Sequence, residues 1–174
     1  GVEITIVDTP GHVDFTLEVE RTLRVIEGGA VVMSGPEGVQ AQTETVWRQA
    51  ERYALPMIAF INKIDREGFD DYVVQDDIRE RLGIEPLPLQ IPLTASPEEI
   101  ALLDVLRGEV LTWAMPTHRS AARPSTQRTL TPEEEIERLV AWERIVDLVA
   151  EHDPTLIRHV IEEQPIDAAD LTRG

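Results

Sequence analysis

Two short stretches carry residue types and an order that could do chemistry: Asp8-Thr9-Pro10-Gly11-His12 and Asn62-Lys63-Ile64-Asp65. In the first, a carboxylate at the end of a strand suits Mg²⁺, which takes oxygen ligands and keeps several of its waters. Three residues later comes Gly11, whose N–H can approach a terminal phosphate closely because no Cβ stands in the way. A contact made to a nucleoside triphosphate and lost in the diphosphate turns such a loop into a switch. His12 then stands beside that phosphate, able to orient an attacking water. The same five residues also read as a strand running into an ordinary Pro-Gly turn with a solvated histidine.

The second stretch offers one carboxylate, Asp65, that can accept two hydrogen bonds from the ring N–H and exocyclic amine of guanine. Adenine lacks that pair of donors and would leave the acceptor unpaired, which is the mismatch that discriminates strongly. The Lys63 stem can lie along the base plane, and the Asn62 amide can brace the loop. Alone, this stretch is also a polar turn closing a strand. Together, in this order, each at a strand end and separated by a strand and a helix, the two stretches favour a guanine-nucleotide site.

The elements that must position them follow from the pattern of apolar residues. Residues 2–7 are rich in β-branched types and end at a breaker cluster, which predicts a strand. Residues 13–26 have a rough helical period, stopped by Gly28-Gly29. Residues 30–33 predict a buried strand, 34–38 a loop, 43–53 a helix with Val46, Trp47 and Ala50 on one face, and 57–61 a third strand. A helix over residues 70–82 closes at Gly83. Strands alternating with helices predict an α/β fold with a mostly parallel sheet and helices on both faces, and ligands in such folds sit beyond the carboxyl ends of the strands.

After Gly83 the texture changes. Pro86, Pro88, Pro92 and Pro97 rule out a long helix, residues 88–93 suit another strand, and 100–113 are mixed. Residues 117–131 read as an exposed loop. Thr131-Pro132-Glu133-Glu134-Glu135 has the form of a helix start: a cap, proline in the first turn, then carboxylates. A shorter helix follows Pro154, and residues 168–174 read as the beginning of another.

Composition narrows the function classes. At 174 residues the chain suffices for one domain with a small appended subdomain. No apolar run approaches the ~20 residues of a membrane span. The absence of cysteine excludes disulfides and thiolate metal sites and fits a cytoplasmic setting. A net charge of −17 repels polyanions, so independent nucleic-acid binding is not expected; the charge reads first as an aid to keeping the chain dispersed, with contact to a basic protein partner as the sharper alternative.

At this point a resemblance becomes specific. Residues 8–15 followed by Glu18-Val19-Glu20-Arg21 resemble the second switch region of translation elongation factor G. Residues 38–50, from Gly38-Val39-Gln40-Ala41-Gln42 to Arg48-Gln49-Ala50, are similar to that family, as are Ala59 through Arg66. The resemblance is strong to about residue 93; beyond it the family carries an inserted subdomain, whose second half the helix from Thr131 and the Asp153-Pro154 pair resemble. It implies a P-loop GTPase fold with an incomplete N-terminus, a partial GTP-binding domain over residues 1–93, and a mostly helical, truncated insert over 94–174. It further implies a GTP/GDP site with Mg²⁺, in which Asp8 helps hold the ion and Gly11 senses the γ-phosphate. Thr9 and Pro10 belong to the same loop, and His12 is the catalytic residue that positions the hydrolytic water. Asn62, Lys63 and Asp65 read guanine. Its implied partners are the ribosome and, at the acidic insert, a ribosomal stalk protein.

The phosphate-cradling Gly-x-x-x-x-Gly-Lys-Ser/Thr motif does not occur in the chain. That predicts a segment which by itself binds GTP weakly or not at all. Thr94-Ala95-Ser96 faintly resembles the last guanine-side loop of simpler GTPases, though the sequence before it matches elongation factor G ahead of its insert and places the true loop beyond Gly174. Ribosome-protection and release-factor GTPases are near neighbours of the leading reading, and a non-enzymatic pseudo-GTPase binding module is the alternative of another class.

Overall fold

The computed structural model describes residues 3–9, 16–96, 98–114, 124 and 126–172, with the side chains of 16–18 left aside. The chain divides into two compact units, residues 1–85 and 86–174.

In the first unit the order is α1 (Thr16–Leu23), β1 (Gly29–Ser34), α2 (Ala41–Arg52), β2 (Met57–Asn62) and α3 (Asp71–Leu82). The strands pair in parallel, Gly29 with Met57 through to Ser34 with Asn62. This register brings the two loops that follow the strands side by side. Helix α3 is delimited locally, as its sequence predicts. The Asp70 carboxylate accepts from the backbone N–H groups of Tyr72 and Val73, and Gly83 closes the last turn in the left-handed region at φ 71°. Val74 and Ile78 of α3 are buried with Met33 and Val39, with Val31, Ile61 and Phe69 packed around them. Val19 and Leu23 of α1 close on Ala50 of α2 in a second small core.

Two expectations about this sheet need correction. Residues 3–7, read as a strand, join no ladder among the described residues, and Ile4 and Ile6 are about four-fifths exposed, at 79% and 86%. β-branched residues fit a pleated surface, but a strand exists only where a second backbone accepts and donates its hydrogen bonds. Helices on both faces are not found either: among the described residues the face bearing Val32, Ile58 and Phe60 is open, at 62%, 55% and 60% exposure.

The second unit was expected to be mostly helical and contains an antiparallel sheet as well. β3 (Gln90–Ala95), β4 (Glu99–Asp104), β5 (Glu109–Ala114) and β6 (Thr126–Thr129) lie in sequence order. The stretch read as mixed is the β4–β5 hairpin, in which Ala101, Leu103, Val110 and Leu111 are buried. β6 falls inside the expected loop and pairs with β5; residues 115–123 and 125 lie outside the described set. Thus the mostly parallel sheet of the sequence reading is one parallel pair, and the larger sheet is antiparallel. Thr94-Ala95-Ser96 ends β3 and starts its turn, with Ser96 Oγ accepting from the N–H groups of Glu98 and Glu99.

Helices α4 (Pro132–Ala150), α5 (Pro154–Ile161) and α6 (Ala168–Leu171) complete this unit. Its core joins Leu103 and Val105 to Ala141, Ile145, Ala150, Leu156 and Leu171. Thr131 forms the cap that the sequence predicts, and the structure adds its reciprocal half, the Glu134 carboxylate accepting from the Thr131 N–H. Arg128 of β6 grips the same Glu134 carboxylate with two hydrogen bonds of 2.6 and 2.7 Å. Arg128 with the Thr131 N–H holds that carboxyl down at about 2.

Candidate functional site

The end of β2 carries the most unusual backbone position in the first unit. Lys63 sits in the left-handed region at φ 60°. Ala54 and Glu163 share that region just after α2 and α5, where a left-handed residue commonly ends a helix. Lys63 instead follows a strand directly, with no helix to terminate. A side chain with a Cβ pays for that conformation, and such positions gather at ligand-binding sites. The cost is offset locally: Asn62 Oδ1 accepts from the Lys63 N–H at 2.8 Å, and the Lys63 carbonyl accepts from the Arg66 N–H at 3.1 Å. The Asn62 amide therefore braces the loop, as its residue type suggests.

The turn after β1 holds the other side. Its Gly35 N–H donates to the Asn62 carbonyl at 2.8 Å, and the Lys63 ammonium lies 3.9 Å from a Glu37 carboxylate oxygen. Asn62 and Lys63 are exposed and Asp65 is half-buried; among the described residues Asp65 makes no hydrogen bond or ion pair, so its two oxygens remain free to accept. Of the sequence-predicted site residues, the structure thus brings together Asn62, Lys63 and Asp65. Asp8 is exposed and Thr9 half-buried in the segment 3–9, while Pro10, Gly11 and His12 lie outside the described residues.

Asp8 offers one oxygen ligand, and among the described residues no group of three acidic or histidine side chains could hold a metal ion. A complete Mg²⁺ site is therefore not built by the described residues. Helices long and apolar enough to cross a membrane are likewise absent among the described residues.

Sequence reasoning missed Gly35, Glu37 and the residues that fasten their turn. Asp77 of α3 accepts from the Val39 N–H, and Arg81 donates to the Val39 carbonyl while pairing with Glu44 of α2 at 2.6 Å. Gly38 adopts φ 62° against the Asp77 carboxylate. The glycines at 35 and 38 were a visible signal of a loop, but nothing in the sequence tells which strand end that loop meets.

A parallel β-α-β unit with a strained, amide-braced loop at its carboxyl edge marks a protein of the α/β class, with that loop where such folds take their ligands. The chain belongs to the family of elongation factor Tu GTP-binding domains, whose model matches residues 1–165. It is 40% identical over 172 residues to elongation factor G 2 of Syntrophus aciditrophicus (strain SB), a match covering 99% of this chain and 25% of that protein. It also superposes on a crystal structure of a protein from Thermus thermophilus with a TM-score of 0.75 and 27% identity, over 95% of this chain and 24% of the other. The chain thus spans about a quarter of the length of each relative, and the elongation factor G resemblance seen in its motifs is borne out.

Proposed function

We propose that this chain is part of a ribosome-dependent translational GTPase of the elongation factor G type, which binds and hydrolyses GTP to drive translocation in protein synthesis. The observation that carries the reading is the loop at Asn62–Lys63–Asp65, strained at Lys63 and braced by the Asn62 amide at the end of β2. In this reading Asp65 accepts the ring N–H and exocyclic amine of guanine, and the Lys63 stem covers the base. Asp8, Thr9, Pro10, Gly11 and His12 face the phosphates, with Asp8 as one Mg²⁺ ligand and Gly11 as the γ-phosphate sensor. An ion held there would neutralise charge on the phosphate oxygens. His12 holds the attacking water in line with the γ-phosphate, so its contribution is positioning and electrostatics.

In this reading residues 1–93 belong to a partial GTP-binding domain and 94–174 to an inserted subdomain; the compact units themselves divide earlier, between Glu85 and Pro86, because β3 pairs with β4 inside the second unit. Helix α4 supports a contact with a ribosomal stalk protein, because exposed Glu133, Glu143 and Asp147 border exposed Ile136, Leu139 and Val140. Lacking a phosphate-cradling motif, the segment does not turn over GTP by itself.

The decisive experiment is Asp65→Asn in the full-length factor. Asparagine presents a donor where guanine's amine needs an acceptor, so GDP binding should weaken on the order of a hundredfold or more. Xanthosine diphosphate, with a carbonyl in place of that amine, should bind better than it does to the native protein. Unchanged GDP affinity would sink the assignment.

A further inference from the structure

We propose that Asp77 and Arg81 of α3 are positioning residues for guanine recognition, acting through the turn at residues 34–39. The proposal rests on the reading of Asn62, Lys63 and Asp65 as the base-recognition loop. Neither α3 residue reaches that loop itself; each holds the backbone of the turn that does.

The linkage can be followed bond by bond. The Val39 peptide unit is gripped on both of its polar groups, its N–H by the Asp77 carboxylate and its carbonyl by the Arg81 guanidinium. Arg81 is itself anchored on α2 by Glu44, with its Nε donating at 2.8 Å and Nη2 at 2.6 Å from the same carboxylate oxygen. Val39 is fully buried, so its peptide cannot shift without disturbing Met33, Val74 and Ile78. From Val39 the chain steps back through Gly38, whose N–H and that of Glu37 both donate to the Ser34 carbonyl, at 2.8 and 3.2 Å. The turn is thereby closed on itself, with no slack between Val39 and Gly35.

The near end of the same turn meets the recognition loop at two points: the Gly35 N–H on the Asn62 carbonyl and the Glu37 carboxylate facing the Lys63 ammonium. The first fixes the residue that braces Lys63; the second draws the Lys63 head toward the turn. Two charge-assisted hydrogen bonds on a buried peptide thus set the height of the turn, and the turn sets Asn62 and Lys63. Such bonds are stronger than neutral ones and directional, which suits them to fixing a backbone. Without them the loop populates other arrangements, and affinity falls by the fraction that remains competent.

The test uses the full-length factor that carries this segment, with titration by fluorescent GDP, and ribosome-stimulated GTP hydrolysis resolved into kcat and KM. Asp77→Ala should weaken GDP binding and raise KM for GTP by about tenfold, the scale of a lost hydrogen bond to a charged group, with kcat unchanged. Asp77→Asn keeps an acceptor oxygen for the Val39 N–H and should recover affinity to within about threefold of native. Arg81→Met removes the grip on the Val39 carbonyl while filling most of the space, and should reproduce the KM effect even where Asp77→Ala proves too unstable to purify. Native affinity in both Asp77→Ala and Arg81→Met overturns the inference, as does an equal loss of kcat, which would mark a general structural defect. Asp65→Asn run in parallel separates the two failures. If it shifts preference toward xanthine while the α3 variants are silent, only the positioning role is wrong; if it does nothing, the recognition loop itself is misassigned and the inference falls with it.

Discussion

A methyl group added at Gly35 would stand 2.6 Å from Phe69 Cδ2, 3.1 Å from Cε2 and 3.3 Å from the Asn62 carbonyl oxygen. Carbon atoms in comfortable contact are about 3.5–4.0 Å apart, so in Gly35→Ala the ring must retreat by about 1 Å. Phe69 is half-buried against the core of Met33, Val39, Val74 and Ile78, which leaves it little room to do so. Overpacking of this kind costs about 1–3 kcal/mol. The alternative relaxation moves the Gly35 backbone away from β2 and gives up its hydrogen bond to Asn62. Free protein can take that route, whereas base recognition requires the braced loop, so the strain lowers the competent fraction. At about 1.4 kcal/mol per factor of ten, GDP affinity should fall by roughly 5-fold to 150-fold. Titration of the full-length factor with fluorescent GDP measures this directly. Phe69→Leu supplies the internal control: Gly35→Ala made in that background should cost far less than in the native one, and the difference is the coupling between the two sites. Native affinity in Gly35→Ala, or a loss of equal size in both backgrounds, would refute the steric argument.

The second unit gives two further expectations. Leu103 is wholly buried between the sheet and α4, so Leu103→Ala should cost about 2–5 kcal/mol and lower the urea midpoint followed by tryptophan fluorescence. The Glu134 carboxyl, held at about 2 against an ordinary 4.5 by Arg128 and the Thr131 N–H, stabilises the fold only while it is charged. Because its folded value is the depressed one, that contribution is complete above 4.5 and is lost as the pH falls through about 2. The gap in urea midpoint between native protein and Glu134→Gln should therefore be wider at about pH 6 than at about pH 3, and a gap that widens on acidification would contradict the ion-pair account.

Elements were legible wherever their signals are met within a few residues. Asp70 and Gly83 mark both ends of α3, and Thr131 with Glu134 marks the start of α4, because a cap needs only its own first turn. Strands were legible less often. Residues 3–7 have the composition of one and join no ladder among the described residues, while Thr126–Thr129 is polar throughout and does, because β5 lies beside it. In the candidate site, Asn62, Lys63 and Asp65 were visible as a motif at a strand end. Gly35, Glu37, Asp77 and Arg81 were not, since their roles arise from partners far along the chain, 42 positions away in the bond from Arg81 to Val39.

By itself the sequence determined the chemistry available here: which side chains can accept from guanine, which can meet a phosphate, and where helices begin and end. Each of those depends on functional groups and local backbone preference, which travel with the residue. Tertiary structure decided which loops share an edge, which face of the β1–β2 pair is covered, and which peptide Asp77 and Arg81 grip. Those follow from strand register and helix docking, where hydrogen bonds and apolar contacts between distant segments compete, and no single segment carries the outcome.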